Sequence, residues 1–198
     1  ISSHKTMCLG TSGMTVLDQA TGYLAFANGG KGGTRHAFTQ ILTYSGDLIW
    51  DFSRDAPAPK TVLSEQAVES MNTILAQVPE WGTGRRAALV NTRVAGKTGT
   101  TQSYRDAWFV GYTGNYTAAV WYGNDDFSPT KDLTGGILPA MTFQRFMSYA
   151  HQNLDLKPIP GLEKPFPDAV PESTEPKIAE PGEGLKAPER PAALTSRT

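Results

Sequence analysis

The stretch Ala95-Gly96-Lys97-Thr98-Gly99-Thr100-Thr101 gathers one cation, three hydroxyls and two glycines into seven residues. Two chemistries compete for it. Gly96-Lys97-Thr98 resembles the end of a phosphate-binding loop, in which backbone N–H groups cradle a nucleotide. That loop needs a glycine five positions before Gly96, and position 91 is Asn. It also needs Lys-Thr to open a helix, whereas GTTQSYRDAWF carries glycine and β-branched residues and leads into a strand. The phosphate reading fails on both counts. The alternative is a strand that presents a lysine, a hydroxyl and a bare backbone to a substrate.

The other reactive side chains form no constellation. His4, His36 and His151 are far apart, without metal-ligand spacing, so no metal site is expected. Asp125-Asp126 are neighbours, and neighbours on a strand point to opposite faces, so they read as a solvated loop rather than a carboxylate dyad. Gly10-Thr11-Ser12-Gly13 misses the G-x-S-x-G spacing of a nucleophile elbow. Gly29-Gly30-Lys31-Gly32-Gly33 reads as a helix stop followed by a flexible loop.

The elements that must position the stretch alternate in type. Residues 14–27 predict a helix with Leu17, Ala20, Leu24 and Ala27 on one face, a Thr15/Asp18 capping box, and a stop at Asn28-Gly29-Gly30. Residues 35–52 predict a hairpin turning at Ser45-Gly46-Asp47. A second helix is expected over 65–78, capped by Ser64, striped by Val68, Met71, Leu75 and Val78, and ended by Pro79. Three strands follow: Arg93–Gln102, Arg105–Tyr112 and Tyr116–Asn124, the last two joined through Thr113-Gly114-Asn115. After Gly135-Gly136 a third helix is expected through LPAMTFQRFMSYAHQNL, with Phe143, Phe146, Met147, Ala150 and Leu154 on one face. The pattern is an α+β fold, a small antiparallel sheet packed by helices.

Composition bounds the partners. With 18 basic and 19 acidic residues the net charge is −1, so there is no polycationic footprint for nucleic acid. No apolar run approaches the length of a membrane span, and ISSHKTMCLG lacks the basic and apolar segments of a signal peptide. The single Cys8 allows no internal disulfide. Nine of the 14 prolines lie in 158–198, whereas all four Trp, all seven Tyr and seven of eight Phe precede residue 158. Residues 1–157 are therefore expected to fold, and the Pro- and Glu-rich tail, 158–198, to be disordered from about 163 onward.

Lys97-Thr98-Gly99 also resembles the KTG motif of serine acyltransferases that react with penicillin. In that motif the lysine is a fixed cation on an exposed strand edge facing a substrate carboxylate. The threonine adds a hydrogen bond, and the glycine lets an acyl substrate lie against the backbone. The surrounding segments carry the resemblance further. MCLGTSGMTVLDQATGYLAFANGGK, EWGTGRRA, VAGKTGTTQSYRDAWFVGYTGNYTAAVWYGND and GGILPAMTFQRFM are similar, in order, to the transpeptidase domain of class A bifunctional penicillin-binding proteins over most of residues 7–150.

The resemblance implies a partial serine transpeptidase/β-lactamase-like fold and assigns roles. Lys97 sits beside the nucleophile's proton-transfer network and helps hold the substrate carboxylate. The Thr98 and Thr100 hydroxyls contact that carboxylate, and the Thr100 N–H is one of two oxyanion-hole donors. Gly99 and Thr101 complete the substrate-binding strand, while Asp106 and Trp108 brace its neighbour. No cofactor is implied. The implied partners are peptidoglycan stem peptides, β-lactams and the rest of the transpeptidase domain, on the periplasmic or extracellular face of the bacterial inner membrane. The segment itself is expected to make no membrane contact, although its parent is expected to be membrane-anchored.

The family's S-x-x-K and S-x-N motifs precede KTG. Literal matches occur at Ser2-Ser3-His4-Lys5, Ser128-Pro129-Thr130-Lys131 and Ser70-Met71-Asn72, and all three are rejected on position. The first abuts the LGTS segment, the second follows KTG, and the third lies inside the second helix. The chain is thus expected to be the C-terminal part of a transpeptidase domain, without the nucleophile and its base. The alternative is a non-catalytic remnant that binds cell wall or protein.

Overall fold

Thr15 starts the first long helix as the spacing predicts. In the computed structural model, which describes residues 5–162, its hydroxyl accepts the Asp18 N–H while the Asp18 carboxylate accepts the Thr15 N–H. A 3-10 turn, Lys5–Leu9, precedes this helix, α1 (Val16–Ala27). Its inward face differs from the predicted stripe. Leu17 is exposed, and Tyr23, Phe26 and Ala27 make the core contacts, because the aromatic rings reach the sheet.

The glycines after α1 do more than form a loop. Gly30 takes φ +86, and a Cβ there would lie 2.4 Å from the Leu63 carbonyl oxygen. This close approach lets Val62 and Leu63 donate to Gly30 O, and Gly32 donate to Lys60 O. Between these paired segments a small hairpin projects, β1 (Gln40–Leu42) and β2 (Leu48–Asp51), turning at Gly46 with φ +93. The sequence did not predict α2 (Phe52–Asp55), a single turn held by Asp51, whose carboxylate accepts the Ser53 N–H at 2.8 Å.

Ser64 caps α3 (Glu65–Glu80), which buries Val68, Asn72, Leu75, Ala76 and Pro79. Pro79 does not end this helix, as the sequence predicts, but sits in its last turn. A proline there loses one backbone bond without preventing the next residues from closing. Trp81 and Gly82 N–H both donate to Gln77 O, and the chain then turns tightly over Val78 into a 3-10 turn, Arg85–Ala87.

Three antiparallel strands follow in the order β3 (Ala95–Thr100), β4 (Asp106–Tyr112), β5 (Thr117–Gly123). Register pairs Lys97 with Val110, Thr98 with Phe109 and Thr100 with Ala107. The β4–β5 turn is organised by Thr113, whose Oγ1 accepts the Asn115 and Tyr116 N–H groups. His151 completes this corner: its Nδ1 meets Met147 O at 2.7 Å, so Nε2 is left to accept the Thr113 hydroxyl at 2.8 Å.

Both faces of the sheet are covered. On one, Phe109 joins Ala87, Val94, Ala140, Phe143 and Met147, the last three from α4 (Leu138–Ala150). On the other, Ala95 and Tyr112 meet Leu75 and Ala76 of α3, with Tyr23 and Phe26 of α1 against them. The helix predicted to reach Leu154 ends at Ala150; Phe146, predicted to face inward, is exposed.

The packed chain continues past Lys157, where the sequence places the start of the tail. Ile159 is 1% exposed in the second cluster, Leu162 packs against it, and the Pro160 carbonyl accepts from Asn72. An isolated isoleucine between prolines carries too little pattern to announce a core residue. The tail predicted to be disordered, 163–198, lies outside the described residues, as does His4.

Candidate active site

Thr101 fixes how β3 faces the solvent. Its N–H donates to Asp106 O at 3.0 Å, across to β4. In an antiparallel ladder alternate residues bond to alternate sides. The Thr100 N–H therefore points away from β4, toward the edge of β3 that no described strand pairs. Thr98 shares this orientation.

The side chains divide by the same alternation. Thr98 and Thr100 lie on the face that carries Phe109 and α4, whereas Lys97 pairs with Val110 on the face of α3. Thr98 and Thr100 line a cavity of about 370 Å³ with Thr83, Arg86, Thr134 and Gly136. Lys97 is exposed outside it, its Nζ donating to Thr98 O at 3.0 Å. The stretch is thus split: Thr98 and Thr100 are together in the cavity, with Lys97 on the opposite side of the same strand. Thr101 joins neither group. Its hydroxyl donates to the Asp106 carboxylate at 3.2 Å and accepts the Asp106 N–H at 2.8 Å. The other Asp106 oxygen accepts the Trp121 indole N–H at 2.9 Å, tying the β3–β4 turn to β5.

A second segment lines the cavity through Thr134 and Gly136. Gly135 crosses the β3–β4 backbone so closely that a Cβ would lie 2.1 Å from Trp108 O and 2.6 Å from Gly99 O. Its N–H donates to the Thr100 hydroxyl at 3.1 Å. Gly136 packs against the Thr83 carbonyl, and its own carbonyl accepts from Arg86 Nη1 at 3.3 Å. Thr83 and Thr98 share a hydrogen bond, Oγ1 to Oγ1, of 2.6 Å. The glycines of this segment are required by contact, since any side chain at 135 would lift the segment off the strand.

Sequence reasoning gave Thr83, Arg86 and Thr134 no role. Thr83 and Arg86 lie in the quoted EWGTGRRA segment, so the signal was present, but only the fold brings it beside Thr98. The rejected motifs are elsewhere. Asn72 is fully buried and bonded to Tyr112. Ser128 Oγ accepts from Asn124 at 3.0 Å in the loop of Asp125-Asp126. Ser2-Ser3-His4-Lys5 begins outside the described residues.

The comparisons with known proteins concern the family and the fold. A family model described as the penicillin binding protein transpeptidase domain matches residues 3–147. Penicillin-binding protein 1B of Vibrio cholerae is 30% identical over 168 residues, covering 83% of this chain and 20% of that protein. Penicillin-binding protein 4 of Bacillus subtilis is 33% identical over 121 residues, 61% of this chain and 19% of that protein. The chain thus spans about a fifth of these curated relatives. Among solved structures, PonA1 of Mycobacterium tuberculosis in complex with penicillin V matches with a TM-score of 0.72 at 23% identity, over 79% of this chain and 43% of that one. Penicillin-binding protein 1A of Haemophilus influenzae matches with a TM-score of 0.64 at 19% identity, over 80% and 30%. At these identities the structures speak to fold alone, and they share the antiparallel sheet packed by helices. The family match runs through all three strands of that sheet and into the last turns of α4, and by it the chain belongs to the penicillin-binding protein transpeptidase family.

Proposed function

We propose that this chain is the C-terminal part of a peptidoglycan D,D-transpeptidase domain and supplies its KTG strand, while the serine nucleophile and its base lie in a preceding segment. One observation carries the proposal: the Thr100 N–H faces a strand edge that is unpaired among the described residues, and the Thr98 and Thr100 hydroxyls share a cavity beside it. In the reaction, the serine oxygen attacks the penultimate D-Ala carbonyl of a stem peptide. The developing oxyanion takes hydrogen bonds from the Thr100 N–H and the serine's own N–H. The C–N bond breaks, D-Ala leaves with a proton, and an amine of a neighbouring peptide then displaces the serine from the acyl carbon. Lys97, an exposed cation on the face of β3 opposite Thr98 and Thr100, serves the proton-transfer network and helps hold the substrate carboxylate from the strand edge. Gly99 keeps the strand low enough for the peptide to lie along it, and Thr101 holds the turn through Asp106. A β-lactam traps the same serine.

The exposed surface supports a missing partner segment. No residue of α1 is buried, Leu9 is 84% and Leu17 58% exposed, and β5 has an unpaired outer edge among the described residues. The rest of the transpeptidase domain is the covering this arrangement calls for. A cell-wall substrate fits the outer face of the bacterial inner membrane, with the parent protein membrane-anchored; no described helix is long and apolar enough to cross a membrane.

The test is covalent labelling with a fluorescent penicillin. The longer protein that contains this chain is expected to form a stable band on a denaturing gel, and the 198-residue chain alone none. A band on the chain alone, mapped to Ser2, Ser70 or Ser128, would overturn the absence of a nucleophile. No band on the longer protein would overturn the transpeptidase reading and favour a binding role.

A further inference from the structure

The hairpin of β1 and β2 carries a groove that the acyl-transfer site does not use. It encloses about 730 Å³, within the roughly 300–1,000 Å³ of small-ligand sites. A row of rings lines it. His36 stacks on Phe52 at 3.7 Å between centroids, Phe52 meets Trp50 edge-on at 6.2 Å, and Trp50 meets Phe38 edge-on at 5.4 Å. Strand pairing fixes the row, with Ile41 opposite Trp50 and the Phe52 N–H donating to Thr39 O at 2.8 Å. We propose that this groove is a saccharide site, and that it holds the glycan strand, a polymer of N-acetylated aminosugars, from which the stem peptides branch. The inference rests on the transpeptidase reading above, which supplies a substrate that is part saccharide.

Charge argues for a neutral ligand rich in hydroxyls. Arg35 and Asp55 line the groove, but each is already paired with a residue outside it, Arg35 with Asp18 and Asp55 with Arg54. Both keep hydrogen-bonding capacity. Arg35 spends Nε on the Thr21 hydroxyl and one Nη2 proton on Asp18, so the rest of its N–H groups remain. His36 Nδ1–H donates to Thr34 O at 3.0 Å, which leaves Nε2 to accept. Asp55 Oδ1 accepts from Arg54 Nε at 2.8 Å and has room for a second donor. An anion or a cation would have to displace one of these pairs, whereas a sugar hydroxyl gives and accepts bonds without displacing either. The C–H face of a pyranose ring and the methyl of an acetamido group pack on aromatic faces, and rings already fixed by their neighbours lose little freedom when they do. A purely apolar partner would instead bury the free polar atoms of Arg35, His36 and Asp55 without partners.

Position separates the groove from the acylation cavity. The hairpin is rooted at the start of α3, where the Leu63 N–H donates to Gly30 O, and the cavity lies past the end of α3, at Thr83. The 16 residues of α3 span ~24 Å. A glycan strand held near one end of this helix keeps its stem peptides at high local concentration around the other, without touching the reacting bond.

The experiment measures binding of tetra-N-acetylchitotetraose to the longer protein by calorimetry, and penicillin acylation in the same preparation. The parent is expected to bind the tetrasaccharide saturably. Trp50→Ala and Phe38→Ala should each weaken binding about 10-fold or more, the worth of one buried ring, and leave the acylation rate unchanged. Phe38 is 54% exposed, so its removal tests the site even where Trp50→Ala fails to fold. Tyr44→Ala, at the exposed hairpin tip outside the groove, should change neither quantity. A parent that acylates normally but does not bind the tetrasaccharide would overturn this inference alone, as would equal binding in all variants. A groove variant that converts a dimer to a monomer with sugar binding intact would assign the groove to a second copy and overturn it too. Tetrasaccharide binding without acylation by the parent would leave the saccharide site standing and overturn the transpeptidase reading.

Discussion

The Tyr112 hydroxyl donates to Oδ1 of Asn72, and both side chains are completely buried. The Asn72 amide in turn donates to Phe26 O at 3.2 Å and Pro160 O at 2.7 Å. One asparagine thus joins α1, α3, β4 and the segment after α4. Burial raises the Tyr112 phenol above its ordinary range, so it remains a donor at any working pH. Tyr112→Phe leaves the Asn72 oxygen buried without a partner and should cost about 1–3 kcal/mol. Asn72→Ala strands two carbonyls as well and should cost more. Urea unfolding of the chain checks both, and an unchanged midpoint in either variant would contradict this account. In the longer protein, penicillin acylation should survive both substitutions at temperatures where the protein is folded.

Two deletions separate core from tail. Ending the chain after Lys157 removes Ile159, whose loss from a core position should cost about 2–5 kcal/mol, together with the Pro160 acceptor. Ending it after Leu162 removes a Pro- and Glu-rich segment and should leave the melting temperature within a few degrees of the intact chain. Equal melting temperatures for the two deletions would place the boundary back at Lys157.

Gly135→Ala puts a Cβ into the Trp108 and Gly99 carbonyls. The loop must lift off β3, breaking the Gly135 N–H bond to Thr100 and displacing Thr134 and Gly136, which line the cavity. We expect a loss of about 1–3 kcal/mol in stability and slower acylation in the longer protein. Gly22→Ala, with open space at its Cβ inside α1, is the control: it should stabilise the helix by up to about 1 kcal/mol and leave acylation unchanged.

Asp18 has its carboxyl lowered to about 2, first by the Thr15 hydroxyl and then by Arg35. A depressed folded-state pKa means that the contribution is complete above the ordinary carboxylate range near 4 and is lost as pH falls through 2. Because Asp18 caps α1 while pairing with Arg35 before β1, acid should fray the helix start and release the hairpin together. Carboxyl NMR of the chain should show Asp18 titrating near 2, and Arg35→Gln should move the midpoint upward. A midpoint near 4 in the unsubstituted chain would remove the link.

The sheet and the reactive stretch were legible because their signals are local. Alternating β-branched and aromatic residues from Arg105 to Asn124 name two strands, and the KTG chemistry proposed for Lys97-Thr98-Gly99 rests on three neighbouring positions. Capping was equally local, with Thr15/Asp18 and Ser64 each read from neighbours. What escaped depended on distance. Thr83 reaches Thr98, and Arg86 the same cavity, only because α3 ends in a tight turn over Val78 that delivers them to β3. Ile159 is core only because the chain returns to Asn72 after α4. The alternation that separates Lys97 from Thr98 and Thr100 was readable in principle, yet which face held the cavity depended on α4 and the Gly135 crossing.

The central claim is that Lys97-Thr98-Gly99 works as the acylation strand of a transpeptidase, and the acylation rate of Lys97→Ala in the longer protein tests it most directly. Lys97 is exposed and contributes little to folding, roughly 0–1 kcal/mol, so the melting temperature should hardly move. Beside an acylating serine a single electrostatic donor is worth about 100- to 1,000-fold in rate, and penicillin acylation should slow by that order. Lys97→Arg should be intermediate or worse, because the planar fork is bulkier and cannot release its proton. Lys31→Ala, in the glycine-rich segment, should change neither quantity. A folded Lys97→Ala protein that acylates at the parental rate would contradict the assignment of this strand.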